Sequence, residues 1–478
     1  MLWALLLAAC PGSAIDDRNG LALGETTSFD VGDAGLVLRA DAGAGSPTRA
    51  PAVTGRFTSR VFDLGSRATP VQLDLATLAP AGAALPVDGG ADAPFALGGF
   101  SMQRNALLVP FAEPPGVNVV VDRSGNGFLG RVDGGVSFGA PGLVGQAARF
   151  DGGCLVFDSS PAFDPGPTLS VALWIRPRNL NGVDPHGLVS RRLDFQAESQ
   201  FTFFLWLNDR LWVDLETEND RFQGTRSIAN DVWTHVALVY DGRLDAGVRA
   251  RVYVDGELDA VAPETSASLP PRTIPVVLGC LPNPAGGLSQ SYEGEMDEVA
   301  LFTRALSADE VSALHARGAS QHRVGLRTCD TFSCTDAGAF LPVRPGTLVG
   351  VPETRFFQYQ LEADAPARAL EWATVQGVRV DVECPRSPDA GLVDGGTADA
   401  GAGGEDAGRL PAVVDGGLDG GAVVDDRPDG GTPGPPSEER RLAVGSGCSS
   451  SGTPGGWGLV ALALVTVRAG RRQTRRTP

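Results

Sequence analysis

The chain contains no lysine: every basic residue is an arginine. Histidine (four), methionine (three) and tyrosine (four) are scarce, and none of the seven cysteines forms a Cys-x-x-Cys pair. Scattered histidines and unclustered cysteines argue against a structural zinc site. A formal net charge of −18 at pH 7 argues against nucleic acid as a partner, because such binders carry a basic footprint. No Ser/His/Asp order, phosphate-binding loop or metal-hydrolase histidine pair stands out, and long helical periodicities are few. The lysine deficit, beside the Ala and Gly richness, reads as a high-GC genome rather than a physical adaptation.

What is abundant is turn chemistry. The 63 glycines and 35 prolines favour an all-β chain with many turns. A length of 478 residues predicts two or three domains.

Spaced motifs run from residue 104 to 318: DRSGNG (122–127), AARFDG (147–152), LSVALWIRP (169–177), WTHVALVYDG (233–242), RVYVDGEL (251–258) and GEMDEVALFTRALSADEV (294–311). In this order they resemble the laminin-G-like, concanavalin-A-like jelly roll of bacterial surface proteins. The resemblance implies a fold more strongly than a function, because this fold serves lectins, adhesive modules, enzyme appendages and some glycosidases.

The two ends read as addresses. Leu7-Ala8-Ala9-Cys10 resembles a bacterial lipobox, making 1–10 a signal peptide with Cys10 lipidated; an ordinary signal peptide with a coincidental Cys is the alternative. Residues 11–53 read as a linker. Residues 385–447, rich in Asp, Gly, Ala and Pro, hold too little apolar mass to offset the entropy of ordering and read as a disordered acidic tether. Residues 448–478 join Cys448, an apolar run from Trp457 to Val467 and a terminal arginine cluster. They resemble the MYXO-CTERM sorting tail of myxobacterial surface proteins. The run is shorter than the ~20 residues that span a bilayer, which suits a cleaved signal better than a permanent anchor.

Two segments flank the motif run. Arg56–Gly65 leads into the alternating Val71–Leu75, and Val324–Cys329 runs through Arg355–Leu361 to Val378–Val382. Each has too few strands to close a sandwich alone. They resemble the opening and closing halves of one small bacterial β-sandwich. The expectation is a discontinuous domain, 54–99 plus 321–384, with the 104–318 jelly roll inserted between; three sequential units are the alternative. Cys329 and Cys334 are placed to close a tight loop, and Cys154 and Cys280, both on expected jelly-roll strands, form the natural second pair. Cys384 has no obvious partner.

Candidate binding residues lie on 201–218, which reads as a hairpin turning at Asn208-Asp209-Arg210. Pairing Leu207 with Leu211 puts Phe203, Leu205, Leu207, Leu211, Val213 and Leu215 on one apolar face, suited to the core. The other face carries Phe204, Trp206, Trp212, Asp214 and Glu216, with Trp206 opposite Trp212 and Phe204 opposite Asp214. Aromatic rings beside carboxylates suit sugars: the ring stacks on the C–H face while the carboxylate accepts hydroxyl protons. The alternative is that loops or the flanking domain cover them.

Asp122 and Asp297 match positions that relatives use around a structural Ca²⁺, which takes six to eight oxygens; the alternative is a turn residue and a strand cap. Trp233 and His235 share a face by period 2 and read as packing residues. Glycosidases of this fold carry paired carboxylates about 5–5.5 Å apart. The nearest match, Glu295-Met296-Asp297-Glu298, points Glu298 away from Glu295 by simple alternation. The sequence therefore favours a non-catalytic, exported recognition module at the outer membrane or cell surface, binding glycan or protein. The alternatives are a structural adhesion protein without a small ligand and, less favoured, a glycoside hydrolase.

Overall fold

The strand Thr168–Pro177 shows how the sequence builds the main layer. Leu169, Val171, Leu173 and Ile175 enter one core cluster, while Ser170, Ala172 and Trp174 point the other way. Its neighbour Thr234–Asp241 repeats the pattern, with Val236, Leu238 and Tyr240 inward and His235, Ala237 and Val239 outward. Strict alternation with both faces apolar is the mark of a strand covered on both sides. The computed structural model describes residues 14–18, 21–39, 52–92, 95–194, 199–216, 221–283 and 287–384. The expectations for 1–10 with Cys10, for 385–447 and for 448–478 with Cys448 lie outside these residues. The chain divides into units Met1–Val393 and Asp394–Pro478, and all described residues belong to the first.

The described residues are almost all β, with several antiparallel sheets and one α-helix. One eight-stranded sheet runs from Val136–Pro141 through Gln146–Asp151, Glu293–Phe302, Thr168–Pro177, Thr234–Asp241 and Ala250–Val254 to Glu257–Ala262, with Asn105–Val109 beside Glu293–Phe302. We call it the first sheet. The second eight-stranded sheet runs from Phe222–Ser227 through Arg210–Leu215, Ser199–Trp206, His186–Arg192, Val276–Leu278, Cys154–Phe157 and Leu129–Asp133 to Val119–Val121. Their inner faces share one core that includes Phe150, Leu155, Phe157, Phe201, Phe203 and Met296.

The flanking segments form another sheet together. Ala52–Thr58 and Phe62–Thr77 pair with Thr354–Pro366, and Val375–Glu383 pairs with Phe62–Thr77. Phe57, Phe62, Leu73, Phe357, Tyr359 and Val380 lie in their common core. The reading of 11–53 as a linker is corrected in part. Ala14–Asp16, Glu25–Thr27, Phe29–Gly32 and Gly35–Leu38 are strands of this sheet, and Leu21, Phe29, Leu36 and Leu38 are buried in it. These strands are three or four residues long, too short for periodicity to register.

Cys154 and Cys280 are bonded, with Cα atoms 5.6 Å apart, as are Cys329 and Cys334 at 5.1 Å. Cys384 is also disulfide-bonded. The helix Ala308–Ala319 opens on a capping box between Ser307 and Glu310, which satisfies two otherwise orphaned N–H groups. Val311 and Leu314 seat it on the outer face of the first sheet, against Ala237, Val239, Tyr253 and Phe302, with Leu85 and Phe100 of the 79–100 connector beside them. No described helix is long and apolar enough to cross a membrane.

Candidate functional site on the second sheet

Ser199–Trp206 and Arg210–Leu215 form a hairpin, in a different register from the expected one. Leu205 lies opposite Leu211, Phe204 opposite Trp212, Trp206 opposite Arg210 and Thr202 opposite Asp214. Three residues form the loop, with Asn208 and Asp209 at φ 63° and 56°. Asn and Asp tolerate that left-handed conformation better than most residues. A shift of two residues keeps each side chain on its face, so Phe203, Leu205, Leu211, Val213 and Leu215 are in the core as expected. Leu207 is the exception: it falls in the loop and is 37% exposed.

The outer face gathers Phe204, Trp206 and Trp212. The Trp206 and Trp212 rings are 5.0 Å apart, with Phe204 6.2 Å and 6.5 Å from them. Trp206 and Trp212 are half-buried and Phe204 is buried. Asp214 lies beneath with no exposure, and its Oδ2 is 3.3 Å from Arg221 Nε. The Arg221 guanidinium stands 5.8 Å over the Trp206 ring, within cation–π range. Glu216 follows the last strand residue with φ 61°, so it leaves the strand alternation that put it on this face.

Phe204, Trp206, Arg192 and Arg221 line a pocket of about 210 Å³, closed by Pro185, Leu281 and Gln290. Trp212, Asp214 and Glu216 do not line it. Sequence reasoning did not single out Arg192. Burial lowers its pKa to about 10; the carboxylate of Asp214 opposes this, Arg221 adds to it and Asp194 opposes it again. It therefore remains a cation at neutral pH. The available signal was Arg191-Arg192 ending a strand, His186–Arg192, in which every residue is buried.

The first sheet's polar residues sit differently. His235 is buried beside Trp174, with ring centroids 5.2 Å apart, and 6.1 Å from His315 of the helix. Burial keeps His235 well below the ordinary histidine range and lowers His315 to about 4. Trp233 packs with Trp174, Leu143 and Ala319. The alternation read for Glu295–Glu298 is corrected. Met296 and Val299 are both in the core, leaving two residues between them. Glu298, at φ 49°, absorbs the extra one as a bulge. Glu298 thus reaches the outer side, as Glu295 does: its Oε2 accepts from Leu85 N, while Glu295 is held by Arg176 and Arg178. Burial raises Glu298 to about 7. Asp297 is raised well above its ordinary value, by burial first and by the charge of Glu298 second.

Asp122 Oδ1 accepts from Leu108 N and Ser124 N, and its Oδ2 from the Ser124 hydroxyl and Phe128 N. Asp297 Oδ2 accepts from Leu143 N and Val144 N, and its Oδ1 from Glu298 N. Every carboxylate oxygen of the two residues already accepts at least one hydrogen bond from the protein. Among the described residues, no group of three or more His, Cys, Asp or Glu side chains is placed to hold a metal ion. A calcium ion at either residue would have to compete with these donors and draw most of its six to eight oxygens from backbone carbonyls.

Residues 152–312 match the family model described as the concanavalin A-like lectin/glucanases superfamily. No curated protein matches the sequence. Solved structures with a likeness include the binding domain of botulinum neurotoxin serotype D/C (11% identity, 51% of this chain and 63% of that one, TM-score 0.36). Another is the binding domain of Paraclostridial Mosquitocidal Protein 1 (14%, 50% and 63%, 0.36). A third is domain 4 of an extracellular arabinanase from Geobacillus stearothermophilus, solved with arabinotriose (20%, 44% and 98%, 0.31). The chain spans about three fifths of the length of the two toxin binding domains.

Proposed function

We propose that the protein is a non-catalytic recognition module that binds a glycan on the outer face of the second sheet. One observation carries this reading: a 210 Å³ pocket walled by the Phe204 and Trp206 rings, with Arg192, Arg221 and Gln290 as its polar groups. Apolar walls with a few placed donors are the usual composition of a small-molecule site. An indole offers the C–H face of a sugar a flat apolar partner, and the guanidinium and amide donors reach its oxygens. The match of 152–312 to a superfamily that includes lectins supports the same reading.

The module belongs outside the cytoplasm, at the outer membrane or cell surface, held by lipid on Cys10 or by the 448–478 tail. The two described disulfides support an oxidising compartment. The test is a glycan array probed with the full chain. Wild type binds a defined set of glycans, and Trp206→Ala loses them while still unfolding in one cooperative transition well above the assay temperature. A blank array with folded protein turns the reading to the alternative, a structural adhesion protein whose partner is another surface protein.

A further inference from the structure

Adjacent arginines end the His186–Arg192 strand, and the protein treats them in opposite ways. Arg191, with no exposure, spends its whole fork. Its Nη1 donates to Asp164 and Gln200, at 2.6 Å and 2.7 Å. Its Nη2 donates to the Arg272 and Ser160 carbonyls, and its Nε to that of Ile274. Arg192 is 4% exposed, yet no hydrogen bond or ion pair to its guanidinium is found among the described residues, and its Nε is buried without a partner. Buried guanidinium groups are normally paired, because a desolvated cation without an acceptor is costly. The exception here lines the pocket.

The charges around it decide what would pair with it. Among the described residues, two guanidinium groups and no carboxylate line the pocket. Asp214 and Asp194 act on Arg192 through space, and Asp214 is bonded to Arg221. Arg221 is therefore already engaged, and Arg192 is the cation awaiting an acceptor. A neutral sugar would displace water from this group without supplying charge. A planar carboxylate matches a guanidinium fork in both charge and geometry.

We propose that the pocket takes the carboxylate of an acidic sugar, a uronate or a sialate, with Arg192 as its main anion-binding group and the sugar ring against Trp206. This rests on the glycan reading above and narrows it to one ligand class. The probes are polygalacturonate, hyaluronan, alginate and sialyllactose, each beside its methyl-esterified form, with dextran sulfate beside dextran, titrated against the full chain.

At least one carboxylate probe binds roughly tenfold or more tighter than its own ester, as expected for a charge-assisted bond. Arg192→Met erases that preference with its melting temperature unreduced, and Trp206→Ala weakens acid and ester alike. Equal affinity for acid and ester, a preference surviving Arg192→Met, or binding confined to dextran sulfate overturns the carboxylate assignment. If only neutral glycans of the array bind, the glycan reading stands and this inference falls. If no glycan binds, both fall.

Discussion

The two outer faces of the sandwich have opposite fates. The first sheet's is roofed by the helix Ala308–Ala319 and the 79–100 connector, and the second sheet's carries an aromatic pocket. Under the roof, the cationic groups are paired or held neutral, although single atoms such as Glu298 Oε1, His235 Nδ1 and His315 Nε2 stay without a hydrogen bond. Arg317 reaches the Ala83 and Ala84 carbonyls and both oxygens of Asp92, and burial keeps His235 and His315 uncharged near neutral pH. On the pocket face the buried guanidinium of Arg192 has no hydrogen-bond or ion-pair partner among the described residues. The contrast separates residues that hold the fold from residues that await a partner, although both are buried and polar.

That contrast is sharpest at neighbouring positions. Arg191→Met removes a saturated buried cation and strands Asp164 and Gln200; it should lose about 3–5 kcal/mol of unfolding free energy in a denaturant titration. A loss below about 1 kcal/mol would place Arg191 with the weak surface pairs.

Glu298 gives the next effect, and its sign follows from its raised pKa. Its ordinary value of 4.5 becomes about 7 in the fold. The folded state therefore holds the proton more tightly, and the stability this provides is present below about pH 4.5 and lost as pH rises through about 7. Glu298→Gln mimics the protonated group. Relative to wild type it should gain up to about 3 kcal/mol between pH 4.5 and 8, at ~1.4 kcal/mol per unit. Melting curves across that range would show a widening gap; parallel curves would contradict the shift.

Gly318→Ala is smaller. The new Cβ would sit 2.5 Å from Trp174 Nε1, and overpacking of this kind costs about 1–3 kcal/mol. Helix propensity returns about 1 kcal/mol, so the clash wins and thermal melting should fall by a few degrees. The smallest effect is at Arg192. Arg192→Met removes an unpaired buried charge, so stability should hold or rise by up to about 1 kcal/mol. A loss like that at Arg191 would mean Arg192 holds the fold instead of a ligand.

How much of this was legible in the sequence follows the physics of each signal. Alternating strands such as Thr168–Pro177 announce themselves, because a period of 2 with both faces apolar has few other meanings. The core face of the hairpin was legible for the same reason. Its register was not, because Leu205 and Leu207 offer Leu211 equally good partners two residues apart. The bulge at Glu298 breaks alternation through a single φ, which no composition reveals. The short strands between Ala14 and Leu38 alternate over too few residues to be seen. Phe204 and Trp206 were named from the sequence and line the pocket, whereas Trp212, Asp214 and Glu216 do not. Arg192 was missed because its meaning lies in a partner that Arg191 has and it lacks.

The central claim is that ligand binds the pocket face and not the roofed one. Indole N–H signals, assigned by Trp→Phe variants, read both faces in one spectrum. Trp206 and Trp212 report the pocket face, and Trp174 and Trp233 the roofed one. On titration with a glycan that the protein binds, the Trp206 signal should shift most and Trp212 next, with Trp174 and Trp233 unmoved. Saturable shifts at Trp174 or Trp233 while Trp206 stays still would contradict the account.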